Sequence, residues 1–224
     1  MPKFSDDVII QAVISGMLVA FAGATLVLAA LGVAVAVYFN NVVNHLRDRV
    51  TRQVRDEAEK VVRRITANAL NRQGYFEWQQ SKLGFLSEAE RQRSLRTAID
   101  DTERAYRELE SAGVPASYVQ LMAQIRSNLA WYYAEAKANE KAAEAKEHAR
   151  KAADRYADFS SATAIEWLFT KAHVLTVFAD CRSDVEQALW AYDILVNSFG
   201  HLPGVAERVA ERRPKAQARL SEFP

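Results

Sequence analysis

The chain has 224 residues, with 29 Lys and Arg against 28 Asp and Glu, a near-neutral balance that by itself points to no charged partner. A single cysteine, Cys181, excludes an internal disulfide and lacks the companions of a Cys/His metal site. Eight glycines, five prolines and an abundance of alanine, leucine, glutamate and arginine exclude a strand-rich fold and predict an all-α protein.

Residues 1–40 read as an N-terminal transmembrane anchor. Val8 to Phe39 carry no charge, and a helix needs about 20 apolar residues to cross a hydrocarbon core of roughly 30 Å. The core span is placed at Gly16 to Tyr38, with Tyr38 and Phe39 where an interfacial aromatic belt belongs. A cleavable signal sequence is the alternative, because Ala34-Val35-Ala36 has the A-x-A form. The run is much longer than the usual 7–15-residue signal core, and Asp6 and Asp7 accompany Lys3 at its start, so retention is expected. Arg47, Arg49, Arg52 and Arg55 crowd the far side of the span. The positive-inside rule then puts the N-terminus outside and the C-terminal domain in the cytoplasm. Ala12, Gly16, Ala20, Ala24, Gly32 and Ala36 recur at four-residue intervals, interrupted only by Leu28, and form a small-residue face suited to helix packing in lipid.

Residues 41–73 read as a basic helical stem. No glycine or proline lies between Val33 and Gln73, so span and stem are expected to be one helix, roughly 60 Å long over that stretch at 1.5 Å per residue. Leu46, Val50, Val54, Ala58, Val61 or Val62, Ile65 and Ala69 form an apolar stripe. Its steps are mostly four and three and average nearer 3.7 than 3.5, which favours a straight or slightly right-handed helix. Two partners remain open for the stripe: the downstream domain, favoured from Val54 onward, and further copies of the same helix.

Residues 74–224 read as a helical domain. Turn signals divide it into helices at Ser87 to Ser111, Ala116 to Ala136, Asn139 to Phe159, Ala162 to Ala179, Asp184 to Phe199 and Val205 to Leu220, the last with a kink or stop at Pro214. The pairs Ala98/Ala105, Ala142/Ala149 and Ala188/Leu195 start 44 and then 46 residues apart, an internal period.

Within it, "NLAWYYAEAKANEKAAEAKEHARKA" (Asn128 to Ala152) resembles a tetratricopeptide repeat, with Leu129, Ala130, Tyr133, Ala142 and Ala149 in register. Lys137 stands where the family has a turn glycine, and Lys146 replaces the usual aromatic of the second helix. Looser units contain Leu168, Ala172, Leu175, Ala188 and Tyr192, and "YFEWQQSKLGFL" followed by Ala98 and Ala105. The resemblance covers roughly Asn68 to Phe199. It implies an antiparallel helix-pair (TPR-like) solenoid with Val205 onward as a capping helix; a helical bundle without superhelical stacking is the alternative. It further implies that the first helix of each pair lines a concave peptide groove. Gln124, Asn128, Trp131 and Glu135 are then groove positions, with Trp167 and Lys171 their analogues in the next unit. Asn128 would bond an extended peptide backbone and Trp131 would give aromatic contact. The alternative is that both tryptophans are core residues.

No chemistry-bearing motif stands out. The four histidines are scattered, and H-E-x-x-H, glycine-rich phosphate loops and C-x-x-C are missing. Glu166/His173 and Glu144/His148 are lone pairs without the second copy that a helix-bundle metal site needs. The expectation is therefore a protein with no catalytic residue, metal or cofactor and with no nucleic-acid or small-molecule partner. It would be a membrane-anchored scaffold or adaptor that presents a protein-binding domain on the cytoplasmic face of the lipid bilayer. The alternatives are a homo-oligomeric or pore-type assembly, held through the membrane helix and stem and capped by the domain, and an accessory subunit of a larger membrane complex.

Overall fold

A computed structural model describes residues 6–154 and 156–223, with the side chains of residues 6–10 and 12 outside the described set. Ala12, first of the small-residue face, and Lys3 thus lie outside the described residues. The described residues contain no strand. Among them seven α-helices follow one another: α1 (Asp6–Ser81), α2 (Glu88–Ser111), α3 (Val119–Ala136), α4 (Ala142–Ala153), α5 (Ser161–Val177), α6 (Arg182–Phe199) and α7 (Val205–Leu220). The chain divides into two compact units, Met1–Ala58 and Glu59–Pro224.

The first unit is the opening part of α1. It is long and apolar enough to cross a membrane, and none of its apolar stretch is buried within the chain. The Thr25 hydroxyl donates to the Phe21 carbonyl at 2.8 Å, which satisfies the group inside its own helix. A methyl group added at Gly16 or Gly32 would meet nothing within 4 Å, so the small-residue face is open in the single chain.

In the second unit α1 does not stop at Gln73. Gly74 lies inside the helix, where α2 approaches so closely that a Cβ would stand 2.3 Å from Thr102 Oγ1 and 2.9 Å from the Ala98 carbonyl oxygen. The face of α1 that packs inward carries Ala67, Asn71, Gly74 and Ser81, all buried. Steps of three and four residues keep these on one side of the helix. The expected apolar stripe lies on the opposite side. Val61, Val62 and Ile65 are 45%, 61% and 61% exposed, so the chain's own domain does not cover them. The physical reason is size: Ala67 and Gly74 admit a close neighbour that branched side chains would hold off.

α2 opens on a capping box, with Glu90 N–H donating to the Ser87 hydroxyl and Ser87 N–H donating to the Glu90 carboxylate. α3 ends at Lys137 in the left-handed conformation (φ 52°), and the next N–H, of Ala138, closes back on the Tyr133 carbonyl at 3.0 Å. Lys137 thus holds the turn that a glycine would hold without strain. α4 is shorter than expected, because its flanks tighten into 3-10 turns at Asn139–Lys141 and Tyr156–Asp158. α7 runs through Pro214 without stopping, since buried Val209 and Ala216 pin it on both sides and Arg213 bonds Asp193 at 2.7 Å.

Each helix of α2 to α7 packs on its sequence neighbour, and α3 also meets α5, as α5 meets α7. Leu109, Ile125, Leu129, Tyr133 and Val174 form one core cluster; Leu168, Phe169, Tyr192, Leu195 and Val209 form a second. Ala98, Ala105, Ala149 and Ala188 are fully buried, the small contacts their spacing implies.

Candidate functional site

A cavity of about 1070 Å³ opens within the second unit. α1 supplies Asn68, Asn71, Arg72, Tyr75 and Trp78 to its wall; α3 supplies Gln124, Asn128, Trp131, Tyr132 and Glu135; α5 supplies Glu166 and Thr170; α7 supplies Arg208 and Arg212. Lys82 closes one side. On each helix these residues recur every three or four positions, so each helix presents one face.

A run of side-chain amides crosses the groove. Gln124 Nε2 donates to Asn128 Oδ1 at 3.3 Å, and Asn128 Nδ2 donates to Asn71 Oδ1 at 3.0 Å. Beside it, the buried Ser127 hydroxyl donates to Thr170 Oγ1 at 3.0 Å, and Thr170 donates in turn to the Glu166 carbonyl at 2.9 Å. Aromatic rings form the second component. Trp78 stacks on Tyr132 with centroids 5.9 Å apart and meets Tyr75 at 5.5 Å. Trp131 lies 4.4 Å from the His173 ring and 5.1 Å from the Arg212 guanidinium carbon.

The charges are uneven. Lys82 pairs with Glu135, and Arg208 pairs with Glu166 at 2.6 Å. Among the described residues no carboxylate lies within ion-pair distance of Arg72 or Arg212. Trp78 Nε1, Trp131 Nε1, Tyr132 Oη and Arg212 Nη1 are buried without a hydrogen-bond partner among the described residues. Leaving such groups unmatched costs about 1–3 kcal/mol apiece. Burial, reinforced by the Tyr75 phenol, pushes the Tyr132 hydroxyl well above its ordinary range. Burial also lowers His173 to about 4, against the pull of Glu135 and with the help of Arg212.

Of the expected groove positions, Gln124, Asn128, Trp131 and Glu135 line the cavity together. Trp167 and Lys171 do not: each lies one residue, about 100° of helix, past the lining positions Glu166 and Thr170. Trp167 is 1% exposed and sits edge-on to Phe159 at 5.0 Å. Lys171 is buried with its ammonium 5.2 Å from the Trp190 ring, and burial lowers its pKa. The α1 and α7 walls are not legible as a site in the sequence alone. Their signal, "NALNRQGYFEW" at helical spacing and Arg208/Arg212 four apart, acquires meaning only beside α3.

No protein-family model, curated protein or solved structure matches this chain.

Outside the groove, Asp180, Cys181 and Asp184 place potential metal-ligating atoms within 4.8 Å of one another. Their carboxylates are already engaged. Lys146 bonds Asp180 at 2.7 Å and Asp184 at 2.8 Å, and Arg150 bonds Asp184 at 2.6 Å. Burial alone would lower the Lys146 ammonium, but the hydrogen bonds to Asp180 and Asp184 outweigh it and raise its pKa. The lysine that departs from the tetratricopeptide pattern therefore ties α4 to the α5–α6 connection and α6. The two Glu/His pairs do not assemble a centre either. Glu166 is held by Arg208, His173 lies against Trp131, and Glu144 pairs with its own helix neighbour His148, at 3.5 Å, and with Lys141, at 2.9 Å.

Proposed function

We propose that this chain is a non-enzymatic, membrane-anchored scaffold whose second unit is a TPR-like solenoid that binds an extended segment of a protein partner on the cytoplasmic face. The groove carries this reading. Its volume of about 1070 Å³ lies at the upper end of the roughly 300–1,000 Å³ range of small-molecule pockets and leaves room for a peptide segment. A side-chain amide run beside an aromatic platform suits a peptide, whose backbone offers repeated donors and acceptors. The contacts of α3 with α5 and of α5 with α7 support a layer made of alternate helices, as in a solenoid. The apolar opening of α1 and the arginines that follow it support the anchor and its orientation.

Photo-crosslinking from position 124 in native membranes tests the reading. Partners are expected to be captured by the unaltered groove and lost when Asn128 and Trp131 are changed to alanine. Capture that survives both substitutions sinks the groove assignment.

A second reading, self-association, draws on the outward face of α1. Val61, Val62, Ile65 and Phe76 are exposed there, opposite the face that packs inward. Mass measurement of the full chain in lipid nanodiscs decides it: more than one copy per disc, reduced by Ile65→Lys, supports association, and single copies exclude it.

A further inference from the structure

Four cations and two carboxylates line the groove, and both carboxylates are taken, Glu135 by Lys82 and Glu166 by Arg208. The remaining cations, Arg72 and Arg212, have no counter-ion among the described residues. Arg212 is the more telling. Its guanidinium is packed over Trp131 and Phe169, which fixes it in place without supplying an acceptor, and its Nη1 is buried and unbonded. The orphaned indole nitrogens of Trp78 and Trp131 are donors only. Asn71 accepts from Asn128 through its oxygen, which leaves its own amide N–H groups for another acceptor. Of the buried unbonded atoms in this groove three are donors only, the Tyr132 hydroxyl can act either way, and positive charge exceeds negative.

From this imbalance we infer that the segment bound in the groove is acidic, with an Asp or Glu side chain seated against Arg212 and a second carboxylate within reach of Arg72. The inference rests on the peptide-binding reading and adds the chemistry of the ligand. A carboxylate matches a guanidinium with two parallel hydrogen bonds, a stronger and more directional contact than a neutral carbonyl makes. The flanking pairs Lys82–Glu135 and Arg208–Glu166 add no net charge, so Arg72 and Arg212 set the positive sign of the groove. The neighbouring amide run is left to hold the backbone.

The test pans a random peptide library against the full chain purified in detergent micelles. Selected sequences are then made with amidated C-termini and measured by fluorescence anisotropy. Peptides enriched in Asp and Glu are expected, with affinities that fall as salt is raised. Arg212→Gln and Arg72→Gln are each expected to weaken binding about tenfold, the usual scale for a lost charge-assisted hydrogen bond, while Arg212→Lys retains part of it. Arg72 is exposed and has no bonding partner among the described residues, so its substitution separates lost recognition from lost folding. Peptides that depend on Asn128 and Trp131 but carry no acidic excess, or that ignore Arg72→Gln and Arg212→Gln, overturn the acidic assignment and leave the groove reading standing. Acidic peptides that ignore Asn128→Ala and Trp131→Ala, or a selection that returns no binder, overturn both. Displacement of the peptides by phosphatidylserine vesicles or by inorganic phosphate, at concentrations where chloride has no effect, assigns the site to a phosphate group instead and overturns the peptide source.

Discussion

In Met1–Ala58, Phe21 is 78% exposed and Val19 73%, whereas in Glu59–Pro224 Trp167 and Phe169 are at 1% and 0%. Both units are helical, and a single helix contributes to both, yet only the second builds a buried core, while Val61, Val62, Ile65 and Phe76 stay exposed on it. A helix that is apolar all round and unburied needs an apolar surrounding from outside the chain. The second unit instead draws its stability from close packing, in which alanines and a glycine set how near the helices come. Helix formation is thus common to the two units, and what surrounds the helix separates them.

Removing residues 1–58 gives the strongest challenge to that contrast. The remaining chain is expected to leave the membrane fraction entirely and to keep its helical circular dichroism and a cooperative melt. A truncated chain that stays with membranes, or aggregates unfolded, shows that the second unit is not self-sufficient.

The next effect lies in the buried ion pairs. Asp184→Ala leaves Lys146 with Asp180 alone and Arg150 without its carboxylate, and is expected to cost about 3 kcal/mol in denaturant titrations. A loss below 1 kcal/mol would mean that water reaches this cluster freely. Gly74→Ala follows. Helix propensity alone predicts a gain of about 1 kcal/mol, but the added methyl collides with Thr102 and the Ala98 carbonyl, so a net loss of about 2 kcal/mol is expected. A stabilised variant would refute the close contact of α1 with α2.

Acid is expected to weaken the second unit through its histidines. Burial lowers His173 to about 4 and lowers His148 as well, so the folded state binds fewer protons than the unfolded state below pH 6.5. Their contribution is present above pH 6.5 and is lost as pH falls from there toward 4. At pH 5 the loss from His173 alone is about 2 kcal/mol. His173→Gln should flatten the pH dependence of the melting temperature; an unchanged slope removes His173 as its source. The smallest effect is a gain. Lys137→Gly relieves a left-handed backbone at an exposed side chain and is expected to stabilise by about 1 kcal/mol, or 2–4 °C in melting temperature.

The helices of the second unit were legible to within a few residues, because turn residues and capping signals act locally. Ser87 and Glu90 close a capping box on themselves whatever else the chain does. One wall of the cavity was legible too, since Gln124, Asn128, Trp131 and Glu135 share one face of one helix. The fate of Trp167 was not. A one-residue change of register on α5 turns it from the groove to the core, and that register depends on how α5 lies against α3 and α4. The same holds for the stripe of Val61, Val62 and Ile65. Their periodicity announces an apolar face without saying that smaller residues on the other side would win the contact with α2.

By itself, then, the amino-acid sequence determined helix, the length of the apolar run and the spacing of small residues, each a property of neighbours along one chain. Only the tertiary structure decided which face of α1 packs inward, why Lys146 stands where an aromatic was expected, and which cations gather at the groove. Arg72 and Arg212 are 140 residues apart, and nothing in a local pattern relates two charges at that separation. They come to line one cavity because packing α1 and α7 on either side of the α3 and α5 faces lowers the free energy of the core, and the charges are carried along.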